Sequence, residues 1–332
     1  MTQILDIGDL PLASGEALPA VQVAYVAHGR LDSDGRNAVL VTHGYTSGPS
    51  MLSTGHHTAE GSWAPLLGPG RPLDTERFFI VCSNMLGSSF GTTGPSSINA
   101  ATGKPWGPDF PRIALADIVR AQHRLLDKLG VKHLRGVVGP SYGGLQALQW
   151  ALDHPGMVDG CGVVVSGLHS PAGFDGASAR AKFADHPDWH GGWHYGHAGL
   201  RERLFEQRVQ TLRHYGLERL YEDRIADPAE RQRLMASGAR QWADRFDPNS
   251  MVVLAEAAAA FDARPRLAEL RARLLLVQCT TDAIFPPVAE TRGLLERVRA
   301  PVRYTEFESP YGHMAPGIEW RRLEDDLRWL LP

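Results

Sequence analysis

Six short stretches of the chain are apolar on consecutive positions: 37–44 (NAVLVTHG), 77–84 (RFFIVCSN), 134–139 (LRGVVG), 160–167 (GCGVVVSG), 273–280 (RLLLVQCT) and 302–309 (VRYTEFES). A strand with one wet face alternates; a run without alternation suits a strand covered on both faces, as in a parallel sheet. Between them lie helical patterns. In 115–130 (LADIVRAQHRLLDKLG), Ile118, Val119, Leu125, Leu126 and Leu129 recur at helical spacing and Gly130 closes the segment. In 144–155, Leu145, Leu148 and Leu152 share a face and Pro155 ends it. Strands alternating with helices predict an α/β fold with a mostly parallel sheet, helices on both faces.

From about Ser170 to Ala263 the strand pattern lapses and charged helical stretches take over. This predicts an α/β core of residues 1–169 and 264–332, interrupted by an all-helical cap at 170–263 over the sheet's C-terminal edge. The Gly/Ser/Pro-rich segment Ser83 to Pro111 is too long for a plain connection, so an ordered functional loop is expected there. The stretch STGHH (53–57) reads as loop.

The chemistry starts at Gly139-Pro140-Ser141-Tyr142-Gly143, a G-x-S-x-G. On its own the pattern is weak. Here an apolar strand ends at Gly139 and a helix follows Gly143, the setting in which a sharp turn lifts a serine Oγ clear of the sheet. The plainer reading is a serine capping a helix. A serine hydroxyl needs a base, and the base a carboxylate to orient it. Asp282 follows the strand 273–280 and His313 follows the strand 302–309. The order Ser141, Asp282, His313 is the one this fold uses. An oxyanion hole needs two backbone N–H groups: Tyr142, after the nucleophile, and Tyr45, after the strand 37–44, are the candidates. His43 reads as structural.

These residues bring a family into view. The stretch GPGRPLDTERFFIVCSNMLGSSFGTTGPSSINAATGKPWGPDFP resembles the homoserine O-acetyltransferase family of α/β-hydrolase-fold proteins, as do GPSYGGLQALQWALDHP, RFDPNS, DAIFPP and SPYGH. The resemblance covers most of the chain outside the cap. It implies an α/β-hydrolase fold, a helical cap, a Ser-Asp-His triad on Ser141, Asp282 and His313, and, in many members, a homodimer. It also implies an arginine seven residues before a tyrosine in the cap, holding the homoserine carboxylate. Arg208 and Tyr215 have that spacing, but an alignment through DWHGGWHYGHAGL puts Leu204 and Thr211 there instead, so the site is not assigned.

Three departures stand out. The family commonly has G-G-S-M-G-G where this chain has GPSYGG, and H-A-L-T-G where it has HGYTSG. Members usually follow the catalytic histidine with an aspartate that helps hold the homoserine amine; here it is Met314, with no charge and no strong acceptor. Losing a charge-assisted hydrogen bond costs about 1.5–3 kcal/mol. On that ground the chain is expected to be a serine esterase of small acetyl-type esters, with homoserine O-acetyl transfer from acetyl-CoA as the alternative. A non-catalytic binding module is disfavoured by the complete triad.

Composition narrows the partners. The chain has 332 residues, 43% hydrophobic and 21% charged, with net charge −3. No basic run marks a nucleic-acid or acidic-membrane partner. No segment approaches the ~18 apolar residues of a membrane span and no signal peptide is read at the start. Cys82, Cys161 and Cys279 sit in or beside apolar runs and read as buried reduced thiols, which suits a cytoplasmic protein. No P-loop or dinucleotide fingerprint is present, so no cofactor is expected. The histidines His186, His190, His194 and His197 are spaced for one helical face, but Pro187, Gly191 and Gly192 spoil a helix, so no metal site is assigned. The partner expected is a small-molecule ester.

Overall fold

The computed structural model describes residues 1–53, 62–197 and 199–332; the loop expectation at 54–57 lies outside them. Ten strands occur among the described residues: β1 (Gln3–Pro11), β2 (Ala17–His28), β3 (Ala38–Val41), β4 (Phe79–Ser83), β5 (Ile98–Asn99), β6 (Lys104–Pro105), β7 (Leu134–Pro140), β8 (Gly160–Val164), β9 (Arg273–Cys279) and β10 (Val302–Phe307). Eight form one sheet in the order β1-β2-β4-β3-β7-β8-β9-β10, while β5 and β6 pair separately. From β4 to β10 the neighbours are parallel; β1 and β2 add an antiparallel edge.

The six apolar runs are the six parallel strands. Every residue of β3 and β8 is buried, and β9 is buried after Arg273, because helices cover both faces. On one face lie α1 (Leu115–Lys128) and α2 (Tyr142–Asp153). Asp117 Oδ2 accepts the Ala114 N–H at 2.9 Å and so fixes the start of α1. Gly130, beyond its end, has φ +86°, the left-handed conformation that stops a helix. The C-terminal helix, residues Glu324–Leu330, packs its Leu327 and Leu330 on the opposite face. The three cysteines are buried and unpaired. Among the described residues no helix is long and apolar enough to cross a membrane.

Between β8 and β9 the chain runs through α3 (Gly176–Ala181), α4 (Gly199–His214), α5 (Leu217–Arg224), α6 (Pro228–Ala243) and α7 (Pro248–Ala259). The two ends of this segment are tied together: Ser170 N–H donates to Phe261 O at 3.0 Å and Ala263 N–H to Leu168 O at 2.8 Å. Short helices α8 (Thr291–Leu295), α9 (Ala315–Ile318) and α10 (Glu324–Leu330) complete the chain. The segment 83–111 is ordered by its hydrogen bonds to β2. Asn84 N–H donates to Ala24 O, and the Thr92 and Thr93 hydroxyls accept the Ala24 and Gln22 N–H groups.

Candidate active site

Ser141 lies between β7 and α2 with φ 57° and ψ −127°, a conformation a residue with a Cβ rarely adopts. The surroundings hold it there. Its N–H donates to Val164 O on the next strand at 2.9 Å, and its carbonyl accepts from the Ser166 hydroxyl at 2.6 Å. Glycine is required on both sides: a Cβ on Gly139 or Gly143 would stand 2.2 or 2.3 Å from Thr42 O. The turn is therefore pressed against the β3 end, where Thr42 Oγ1 donates to Gly143 O at 2.8 Å.

Asp282 and His313 occupy equivalent turns after β9 and β10. Asp282 Oδ1 accepts the Ile284 N–H at 2.8 Å and the Phe285 N–H at 3.3 Å, which aims Oδ2 at His313 Nδ1, 2.8 Å away. Both side chains are fully buried. An Nδ1–H held by a carboxylate leaves Nε2 as the lone-pair nitrogen. Nε2 is buried and has no hydrogen-bond partner among the described residues, Ser141 Oγ included. The imidazole is walled by Tyr215, edge-on at 4.6 Å between ring centres, and by Phe285, stacked at 6.2 Å.

Ser141 opens into a cavity of about 340 Å³ that Tyr45, Thr46 and Tyr142 also line. Tyr142 is the first residue of α2, where a backbone N–H has no partner within the helix. The two tyrosine rings stack at 6.1 Å and are pinned through their hydroxyls to α7, Tyr45 to Met251 O and Tyr142 to Leu254 O at 3.0 Å. Burial raises both phenol pKa values, so both act as hydrogen donors. His43 is buried; it has Gly44 O 2.9 Å from Nδ1 and accepts the Met85 N–H on Nε2 at 3.2 Å. Burial lowers its pKa to about 4, so it is neutral and fixes the loop before Tyr45. A buried chain of amides supports that loop from below. Trp150 donates to Gln122, Gln122 to Gln146, and Gln146 to His43 O at 3.0 Å.

Two braces of the site were not singled out from sequence. Ser166 braces the elbow, and Gln146 braces the loop; each is a lone polar residue in a buried run. From the inserted segment, Gln210, Thr211 and Tyr215 on or after α4, with Phe174 and Met251, line the same cavity. Arg208 is buried, its Nη1 donating to Thr46 Oγ1 at 2.8 Å and its guanidinium lying 4.7 Å over the Trp242 ring. Leu204 sits in the main apolar core instead. No residue of the segment 83–111 lines this cavity. The histidine-rich stretch is not one helical face: His194 Nε2 meets Asp247 Oδ1 at 3.1 Å, while His190 and His197 gather with Asp188, one ligand atom each within 4.8 Å.

The model of the alpha/beta hydrolase fold matches residues 37–317. A homoserine O-acetyltransferase of Moorella thermoacetica is 38% identical over 341 residues, covering 95% of this chain and 91% of that protein. The chain belongs to the homoserine O-acetyltransferase family. A homoserine O-succinyltransferase of Alkalilimnicola ehrlichii is 35% identical over 92% of this chain and 88% of its own length. The crystal structure of esterase E22 superposes with a TM-score of 0.86 over 100% of both chains at 22% identity, a likeness that shows the shared fold.

These relatives overturn the expectation of an acetate esterase: across nearly the whole chain they are homoserine acyltransferases. The expectation rested on Met314, and its position explains the failure. Its buried side chain packs in a cluster with Leu212, Tyr215, Leu217 and Met235 from the inserted helices. It does not line the cavity that Ser141 opens into. Met314 is a packing residue that holds the His313 turn to the inserted segment, with its N–H donating to Tyr215 O at 3.1 Å.

Proposed function

We propose that this protein is a homoserine O-acyltransferase that takes an acetyl group from acetyl-CoA, with Ser141 as nucleophile, His313 as base and Asp282 as its orienting carboxylate. The observation that carries the reading is the full-length kinship with homoserine acyltransferases; it is supported by a cavity at Ser141 lined by Tyr215 and Phe285, the two rings that wall the His313 imidazole.

Ser141 Oγ attacks the thioester carbonyl as His313 Nε2 takes its proton. The developing oxyanion is held by the Tyr45 and Tyr142 N–H groups, aimed by the short loop after β3 and by the α2 N-terminus. The C–S bond breaks, the proton passes from His313 to the CoA sulfur, and an acetyl ester on Ser141 remains. The homoserine hydroxyl then gives its proton to Nε2 and attacks that ester. The Oγ–C bond breaks, Ser141 recovers the proton, and O-acetylhomoserine leaves. Residues 170–263 act as the cap. Arg208 holds the homoserine carboxylate beside Thr46, and Tyr215 sets the floor under His313. Of the two cap alignments this one is favoured because Arg208 reaches the Thr46 hydroxyl at the cavity wall, whereas Leu204 is buried in the core.

The acyl-enzyme is the step to test. Mixing the protein with acetyl-CoA and no acceptor should leave an acetyl group on the peptide bearing Ser141 by mass spectrometry, and Ser141→Ala should abolish it. Acetylation of another residue, or of none, sinks the mechanism.

A further inference from the structure

The lining of the catalytic cavity carries basic side chains and no acidic one among the described residues. Lys182 and His214 are its ionisable basic groups. Lys182 follows the last residue of α3, and its carbonyl accepts a hydrogen bond from Gln207 of α4 at 3.1 Å. That bond fixes the backbone from which its side chain reaches the cavity. The residue as a whole is exposed, but protein atoms crowd its ammonium and desolvation lowers its pKa. Among the described residues no carboxylate pairs with it within 4.0 Å, whereas nearby Arg203 is paired with Asp185 at 2.8 Å. A cation left unpaired at the edge of an otherwise largely apolar cavity lacks a counter-charge that a ligand can bring.

We propose that Lys182 is an anion-binding subsite for the acyl donor, pairing with a carboxylate or phosphate group of the donor while its acyl carbon sits at Ser141. The inference rests on the acyltransferase reading, and it names the chemistry by which that cavity selects a donor. Two sources offer such an anion: a carboxylate at the far end of a dicarboxylic acyl chain, or a phosphate of the CoA moiety. The competing account is local, in which Lys182 only complements the negative end of α3. That account predicts a change in stability and none in donor choice.

Four donors separate these cases, each read as the acylation half-reaction by leaving-group release with homoserine omitted. Acetyl-CoA carries phosphates alone, p-nitrophenyl hemisuccinate a carboxylate alone, succinyl-CoA both, and p-nitrophenyl acetate neither. With Lys182→Glu, kcat/KM for an anionic donor relative to that for p-nitrophenyl acetate should fall about 10- to 100-fold, the effect of losing a charge-assisted contact. Lys182→Arg should restore most of the ratio. A fall for acetyl-CoA assigns the phosphate; a fall confined to hemisuccinate and succinyl-CoA assigns the acyl carboxylate. Ratios unchanged within twofold for every donor overturn the proposal, as does a wild-type protein that no acyl-CoA acylates. Because homoserine is absent, failure of the acceptor assignment alone would leave these ratios intact and so be told apart.

Discussion

Replacing Asp282 by Asn tests how the base is held. The Asp282 side chain is wholly buried; Oδ1 is occupied by the Ile284 and Phe285 N–H groups and Oδ2 faces His313 Nδ1 at 2.8 Å. Asparagine has nearly the same shape, and the two N–H groups will keep its oxygen on their side. Its NH2 then points at Nδ1, so the ring must present a lone pair there and carry its proton on Nε2. That tautomer cannot accept the serine proton. A tautomer trapped the wrong way costs about 10³- to 10⁴-fold in turnover, about 4–5 kcal/mol of barrier. The assay is thiol release from acetyl-CoA in the presence of homoserine, with thermal unfolding in parallel to show that the variant folds. A folded variant that loses less than tenfold would refute the reasoning, because the Asp282–His313 contact would then be structural only.

Two further substitutions probe the supports. Gly216 joins α4 to α5 at φ +102°, and a Cβ there would lie 2.3 Å from Tyr311 O in the turn that carries His313. Gly216→Ala should therefore cost about 1–3 kcal/mol of stability in denaturant titration, and should lower kcat more than KM; an unchanged kcat would show that the α4–α5 elbow does not position His313. His43 gives a pH dependence. Its folded pKa, about 4, lies below the ordinary imidazole value of 6.5, so between these values the unfolded chain binds the extra proton. Stability from this group is complete above pH 6.5 and is lost as pH falls towards 4, a total of about 3 kcal/mol. Unfolding free energies at pH 7 and 4.5 should differ by less in His43→Gln than in wild type; equal differences would mean that His43 is not the titrating group.

Five of the six parallel strands were legible because they are buried on both faces and so write nearly unbroken apolar runs; β10, at the sheet edge, is only half-buried and mixes polar residues into its run. The edge strands β1 and β2 were not read, since β1 is largely exposed, bears Asp6 and Asp9, and slips register around Gly8. Ser141, Asp282 and His313 were proposed from position: each follows a strand end, and the parallel sheet brings those ends to one edge. Reading the inserted helices failed for a different reason. Leu204, Arg208, Thr211 and Tyr215 are spaced by four, three and four residues, so they share one face of α4 and its extension. Periodicity cannot say which of them is deep in the core and which reaches Thr46. Met314 misled because adjacency in sequence to His313 was taken for adjacency in the cavity. Successive side chains in a 3₁₀ turn point about 120° apart. His313 therefore faces Asp282 while Met314 faces the cluster of residues between β8 and β9 that holds Leu212, Leu217 and Met235.

The central claim is acyl transfer to homoserine, and the partition of one acetyl-enzyme tests it most directly. Wild-type protein is given acetyl-CoA with homoserine, and O-acetylhomoserine and free acetate are quantified together against thiol release. The account predicts that thiol release is matched by O-acetylhomoserine and rises with homoserine concentration to saturation. Thiol release matched by acetate, at a rate indifferent to homoserine, would contradict it.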